Sequence, residues 1–274
     1  HDDLKMILSG DRNLKNYDLS NLRLQGFDMS GSNIDSANLN SAFIINSNLS
    51  SASLTGANLS SVKFLDSIMD NAIMSNVNSS CAMIISSKFL AGAFKKLDMG
   101  GSYMDRTNFT GSVFENSDLS NILIKDSDLS DSLLKDCDLH GAVFINVTMK
   151  NIKMENINLS GTRLENVDMR TKGDQRPDLS DANLNCAVLI SVRMPKADLR
   201  GAYLGSSYII KSDLSDSFMS NARLTGASVT YSNLSRADLR YASLNYAMID
   251  ECDLTSANLS WAEMAYSDLR NADL

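Results

Sequence analysis

A large apolar residue recurs every five positions along this 274-residue chain, and that spacing excludes most folds. Counting by fives from Leu14 to Leu274 gives 53 positions, of which 51 hold Leu, Met, Phe, Ile or Val. In the stretch SDLSDSLLKDCDLHGAVF they are Leu129, Leu134, Leu139 and Phe144. On an α-helix five residues turn the chain by about 500°, so these groups would wander around the axis. On a strand five is odd, so successive groups would switch faces. A period of five builds one interior only if each quintet bends the chain by a quarter turn. Four quintets then close a square coil of about twenty residues, and stacked coils make a solenoid. A lone coil buries four large side chains while ordering all of its backbone, so stability must come from stacking.

The two exceptions to the apolar series are Ser79 and Asp174. Two residues before each centre the side chain is mostly small, as at Ala182, Ala187, Ala197, Ser207, Ser212 and Ser217. The residue just before the centre is often Asp or Asn; after it come Ser, Gly, Asn or a charge. Units such as SANLS, TGANL, KADLR and SRADL carry a resemblance to the pentapeptide-repeat family, A(D/N)LXX, over about 95% of the chain. That resemblance implies an all-β, right-handed quadrilateral β-helix. With about twenty residues per coil, the length predicts about 13 coils and, at strand spacing, a rod of about 60 Å.

The segment DDLKMILSG reads as a short helical cap, so residues 1–12 are expected to cap a single repeat body, 13–274. Bulky residues in the small position of the first coil, Arg12, Tyr17, Leu22 and Phe27, would plug its open end. The irregular TKGDQRP, 171–177, reads as a surface loop, because Asp174 cannot be buried uncompensated. Its cations Arg170, Lys172 and Arg176 are candidate contact residues. At the other end the pattern stops at the inward Leu274, which predicts that the native chain continues or that a partner, or a second copy, covers that end.

Chemistry is sparse. Two histidines and four cysteines, Cys81, Cys137, Cys186 and Cys252, show no metal-ligand spacing, and His140 points away from Cys137. No catalytic residue, cofactor or metal is expected, and the thiols read as free in a reducing compartment. No apolar run approaches the length of a membrane span. Unrolled at twenty residues per coil, one side gathers Asp18, Asp98, Asp118, Asp138, Asp178, Asp181, Asp198 and Asp238 against Arg200 and Arg240. The next side predicts an outward apolar strip including Phe43, Ile45, Met83 and Ile85. Tyr241 with Trp261, and Tyr246 with Tyr266, fall one coil apart and predict an aromatic edge.

These features point to a non-enzymatic protein-interaction scaffold, binding another protein or a flanking domain and no nucleic acid directly. The family resemblance adds two further expectations. One is mimicry of DNA toward bacterial type II topoisomerases, against which a net charge of −8 counts. The other is the β-helix part of a secreted bacterial effector, such as the HECT-like ubiquitin ligases. The expected compartment is the bacterial cytoplasm, or a host cell for an effector.

Overall fold

The computed structural model describes residues 10–173 and 175–274. The expected helical cap therefore lies mostly outside the described residues, and all regular elements among them are three-residue parallel strands. Contacts divide the chain into two compact units, one ending at Asp138 and the other spanning Leu139–Leu274.

In the first unit the coils repeat at twenty residues. Arg23–Gln25 pairs with Phe43–Ile45, which pairs with Lys63–Leu65, each partner twenty positions on. A second set of strands, Ile73–Ser75, Ala93–Lys95, Val113–Glu115 and Leu133–Lys135, stands two quarter turns away, on the opposite side. The remaining sides are joined by single bridges such as Asn13↔Asn33 and Asp18↔Asn38. The apolar centres are buried as the period requires, from Leu14 through Leu134. Phe64, Phe89, Phe94, Phe109 and Phe114 stack inside this unit, Phe89 on Phe109 at 4.9 Å and Phe94 on Phe114 at 4.7 Å. Gly92 is required there, since a Cβ would lie 2.3 Å from the Phe94 ring. Ser79 occupies a centre in this cluster, fully buried, with an unpartnered hydroxyl beside a cavity of about 10 Å³.

The second unit repeats the plan with one change. Asn158 bridges Asn183, Arg163 bridges Val188 and Asp168 bridges Arg193, steps of 25 rather than twenty. One extra quintet is looped out, and the residues after it advance by a quarter turn relative to a strict period of twenty. This corrects the unrolled map. Asp178, Asp198 and Asp238 do not lie on the side of Asn158, as a strict period of twenty requires; Asn183 and Tyr203 occupy it. Counted by successive strands of one side, the chain makes about 11 turns, fewer than the 13 coils expected, because coils at the extremities form only isolated bridges.

Two corner types explain the small inward residues. At a turn corner the inward N–H bonds back three residues, as Ala37 does to Ile34 O (3.2 Å) and Ala237 to Leu234 O (3.0 Å). At a strand corner that bond is absent, and where the next coil carries a serine there its hydroxyl accepts instead. Ser47 N–H donates to Ser67 Oγ (3.3 Å) and Ser67 N–H to Ser87 Oγ (3.1 Å). Hydroxyls and thiols share the strand corners with larger apolar residues, Val77, Leu97, Val147, Ile157, Val167 and Val192, none of which accepts such a bond. Cys137 and Cys252 sit at strand corners and donate to Lys135 O and Asp250 O as the serines do. Among the described residues no helix is long and apolar enough to cross a membrane.

Candidate functional site

Outside the inserted loop, each corner places the second residue after an apolar centre in the left-handed region, from Asn16 (φ 63°) to Asn271 (φ 56°). Asn, Asp, Ser and Gly fill most of these positions, as steric cost dictates. Five corners of the second unit carry an aromatic residue instead: Tyr231, Tyr241, Tyr246, Trp261 and Tyr266 all have φ between 54° and 59°. A left-handed bulky residue costs about 1–2 kcal/mol. Burial does not offset it, for Tyr231, Tyr241 and Tyr246 remain 55%, 54% and 63% exposed. Stacking offsets part. Tyr241 lies on Trp261 at 5.2 Å and 6°, and Tyr246 on Tyr266 at 5.2 Å and 11°. Left-handed corners recur along the whole chain, so it is the aromatic side chains, not the backbone, that single these five out.

The two aromatic pairs bound one side of the coil. Between them the side presents Ser243 and Glu263, which continue a column of successive bridges from Tyr203 and Arg223 on the coils before. Arg223 lies over the Tyr203 ring at 4.6 Å. Asn245 spans the floor, donating to Glu263 Oε2 (3.0 Å) and accepting the Ala265 N–H (2.8 Å). Gly226 occupies the same corner one coil before Tyr246 and adds no side chain beneath it. The pairs were legible as an aromatic edge in the sequence. The left-handed backbone beneath them, and the inclusion of Tyr231, were not; the signal was an aromatic where the repeat calls for Asn, Asp, Ser or Gly.

Several acidic groups of this unit are held by arginines. Bidentate pairs join Asp168 to Arg170, Asp198 to Arg200, Asp238 to Arg240 and Asp216 to Arg236. The hydrogen bonds from Arg170, Arg240 and Arg236 hold the carboxyls of Asp168, Asp238 and Asp216 below the usual range.

The inserted loop holds its three cations differently. Arg170 is spent on Asp168, Lys172 donates its N–H to Asn151 Oδ1 (3.0 Å), and the Arg176 guanidinium lies 4.4 Å over the Phe218 ring. A cleft of about 420 Å³ opens beside the loop, lined by Lys153, Glu155, Gln175, Arg176, Asp178 and Arg200. In the first unit, the strand side buries Ile45, half-buries Phe43 and Ile85 and exposes Met83; Lys63 caps the Phe43 ring at 4.7 Å. No group of three metal-ligating side chains occurs among the described residues.

The family model described as pentapeptide repeats matches in 8 copies, at residues 13–50, 44–76, 124–161, 178–216, 217–255 and 252–274, more than half of the chain. No curated protein matches. Solved structures similar to the chain include full-length QnrB1, a plasmid-mediated fluoroquinolone resistance protein (17% identity over 78% of this chain and 92% of that one, TM-score 0.24). HetL, a pentapeptide repeat protein involved in heterocyst differentiation regulation in the cyanobacterium Nostoc, is 21% identical over 99% of this chain and 92% of that one (TM-score 0.20). Rfr23, a pentapeptide repeat protein from the cyanobacterium Cyanothece, is 27% identical over 37% and 67% (TM-score 0.22).

Proposed function

Because the chain belongs to the pentapeptide-repeat family, we propose that it is a non-enzymatic interaction scaffold whose recognition surface is the aromatic-walled side of its second unit. The observation carrying this reading is the set of exposed tyrosines at left-handed corners, Tyr231, Tyr241 and Tyr246. A sequence selected for stability alone would place Asn or Gly there. Tyr and Trp contribute large, rigid contact area and dominate binding hot spots. The partner is a protein, because the surface combines aromatic faces with separate donors and acceptors, Arg223, Ser243 and Asn245, over a whole side rather than in an enclosed pocket.

DNA mimicry has less support. Duplex DNA presents one charge per about 1.7 Å, whereas Asp168, Asp198, Asp216 and Asp238 each face an arginine. A topoisomerase supercoiling assay is expected to show no inhibition.

The direct test places a photo-crosslinking residue at Ser243, identifies the captured protein, and titrates it in purified form. Tyr241→Asn and Tyr246→Asn each suit the corner backbone and so preserve the fold. Each is expected to weaken binding by about tenfold, the effect of a hot-spot residue. Unchanged affinity in both variants would remove the aromatic side from the interface.

A further inference from the structure

We infer that the cleft beside the inserted loop is a second docking site, which takes an extended, acidic segment of a partner protein as an added strand. It stands apart from the aromatic side and does not depend on it. The second unit leaves one set of backbone bonds unmade. Thr148 bridges Asp168 and Asn158 bridges Asn183, so successive coils are joined on two sides. On the side between them, the strand Lys153–Glu155 is bridged by no described residue of the following coil. One coil later the same column is joined again: Asp198 N–H donates to Pro177 O (2.8 Å) and Phe218 N–H to Ala197 O (2.9 Å). The equivalent donor, Asp178 N–H, has no acceptor among the described residues. Met154 N–H, which the repeat aims at the following coil as Leu159 N–H is aimed at Asn183 O (2.8 Å), has no described acceptor there either.

Unpaired backbone groups along a strand select an extended ligand, because a helix bonds its own groups internally and has none to offer. The cleft provides the room. It holds about 420 Å³ and is lined by the consecutive residues 151–155, about 16 Å of extended chain. Charge then sets the ligand's composition. Lys153 and Arg176 both line the cleft, and neither forms an ion pair among the described residues; Arg176 lies over the Phe218 ring instead. On the opposite bank the carboxylates are engaged, Asp178 by the Ser180 N–H and hydroxyl and Asp198 by Arg200. Glu155 stands two residues from Lys153 on the same strand. An acidic residue at the Lys153 end of the ligand complements this arrangement.

The test uses the full chain and a glutamate-flanked threonine–valine peptide. The controls are the same peptide with alternate amide nitrogens methylated, and a lysine-flanked version. Isothermal titration is expected to show the first peptide binding at least about tenfold more tightly than either control. Hydrogen exchange at Met154 should slow in the complex, which contact through side chains alone does not produce. Deletion of 171–175 keeps each coil on its present neighbour and sets Asp178 twenty positions from Asn158's predecessor quintet at Lys153. It is expected to close the ladder and abolish binding while circular dichroism stays that of the parent. Lys153→Glu is expected to remove the preference for glutamate flanks and leave the effect of methylation intact. Equal binding of the methylated peptide overturns the inference, and so does failure of every peptide to bind. Binding retained by the deletion variant overturns it as well; if that variant does not fold, Met154 exchange and Lys153→Glu decide. Tyr241→Asn and Tyr246→Asn should leave this binding unchanged, so the aromatic side stands or falls separately.

Discussion

Ser212 and Ser217 are adjacent inward serines of one coil, both fully buried, yet replacing each with alanine should shift stability in opposite directions. Ser212 follows a strand corner. Its hydroxyl accepts the Val192 N–H (3.1 Å) and donates to Ile210 O (3.1 Å). Ser212→Ala leaves the Val192 amide buried without an acceptor, which costs about 1–3 kcal/mol. Ser217 follows a turn corner. Its own N–H already bonds Leu214 O (3.2 Å), and its hydroxyl has no partner. Ser217→Ala removes an unsatisfied buried hydroxyl and keeps the backbone bond, so it should stabilise by about 1 kcal/mol. The separation between the two variants is therefore about 2–4 kcal/mol. Urea denaturation followed by circular dichroism, with both variants beside the parent, reads it directly. Hydrogen exchange at Val192 should accelerate in Ser212→Ala and stay unchanged in Ser217→Ala. Two shifts of the same sign would refute the reading that the Ser212 hydroxyl holds an amide and the Ser217 hydroxyl holds nothing.

Tyr231→Asn relieves a left-handed tyrosine that stacks on no neighbouring ring, so it should raise stability by about 1 kcal/mol; a loss of that size in thermal melts would show that the corner is not strained. Cys81 and Cys186 are exposed, whereas burial pushes the Cys137 and Cys252 thiols up. Maleimide at neutral pH should therefore label the first two in the folded chain and the other two only after unfolding; mass spectrometry of the labelled peptides checks the order. Hydrogen bonds from Ser30, then from Arg12, lower the Asp28 carboxyl to about 2. A depressed carboxyl contributes its stability above its unfolded value and loses it as pH falls through the folded one, here from about 4 toward 2. Carbon-detected NMR titration should place Asp28 near that value and show an upward move in Arg12→Ala.

The solenoid was legible because a period of five has a single geometric solution, and nearly every centre from Leu14 to Leu254 is buried as that solution demands. The inward serines, the free thiols and the paired aromatics could also be placed by counting. Counting failed at the inserted quintet. Asp174 and the irregular 171–177 announce a surface loop, but the five-residue spacing continues across it, so nothing in the sequence says that the chain has advanced by a side. Only the hydrogen-bonded register reveals it, because a register is a relation between coils, not within one. The same holds for the corners. The sequence sets which residues face inward, through hydrophobicity at fixed spacing. Whether a corner closes by a turn or by a strand, and whether Tyr231, Tyr241 and Tyr246 are held left-handed in the open, is decided by bonds to the coils above and below.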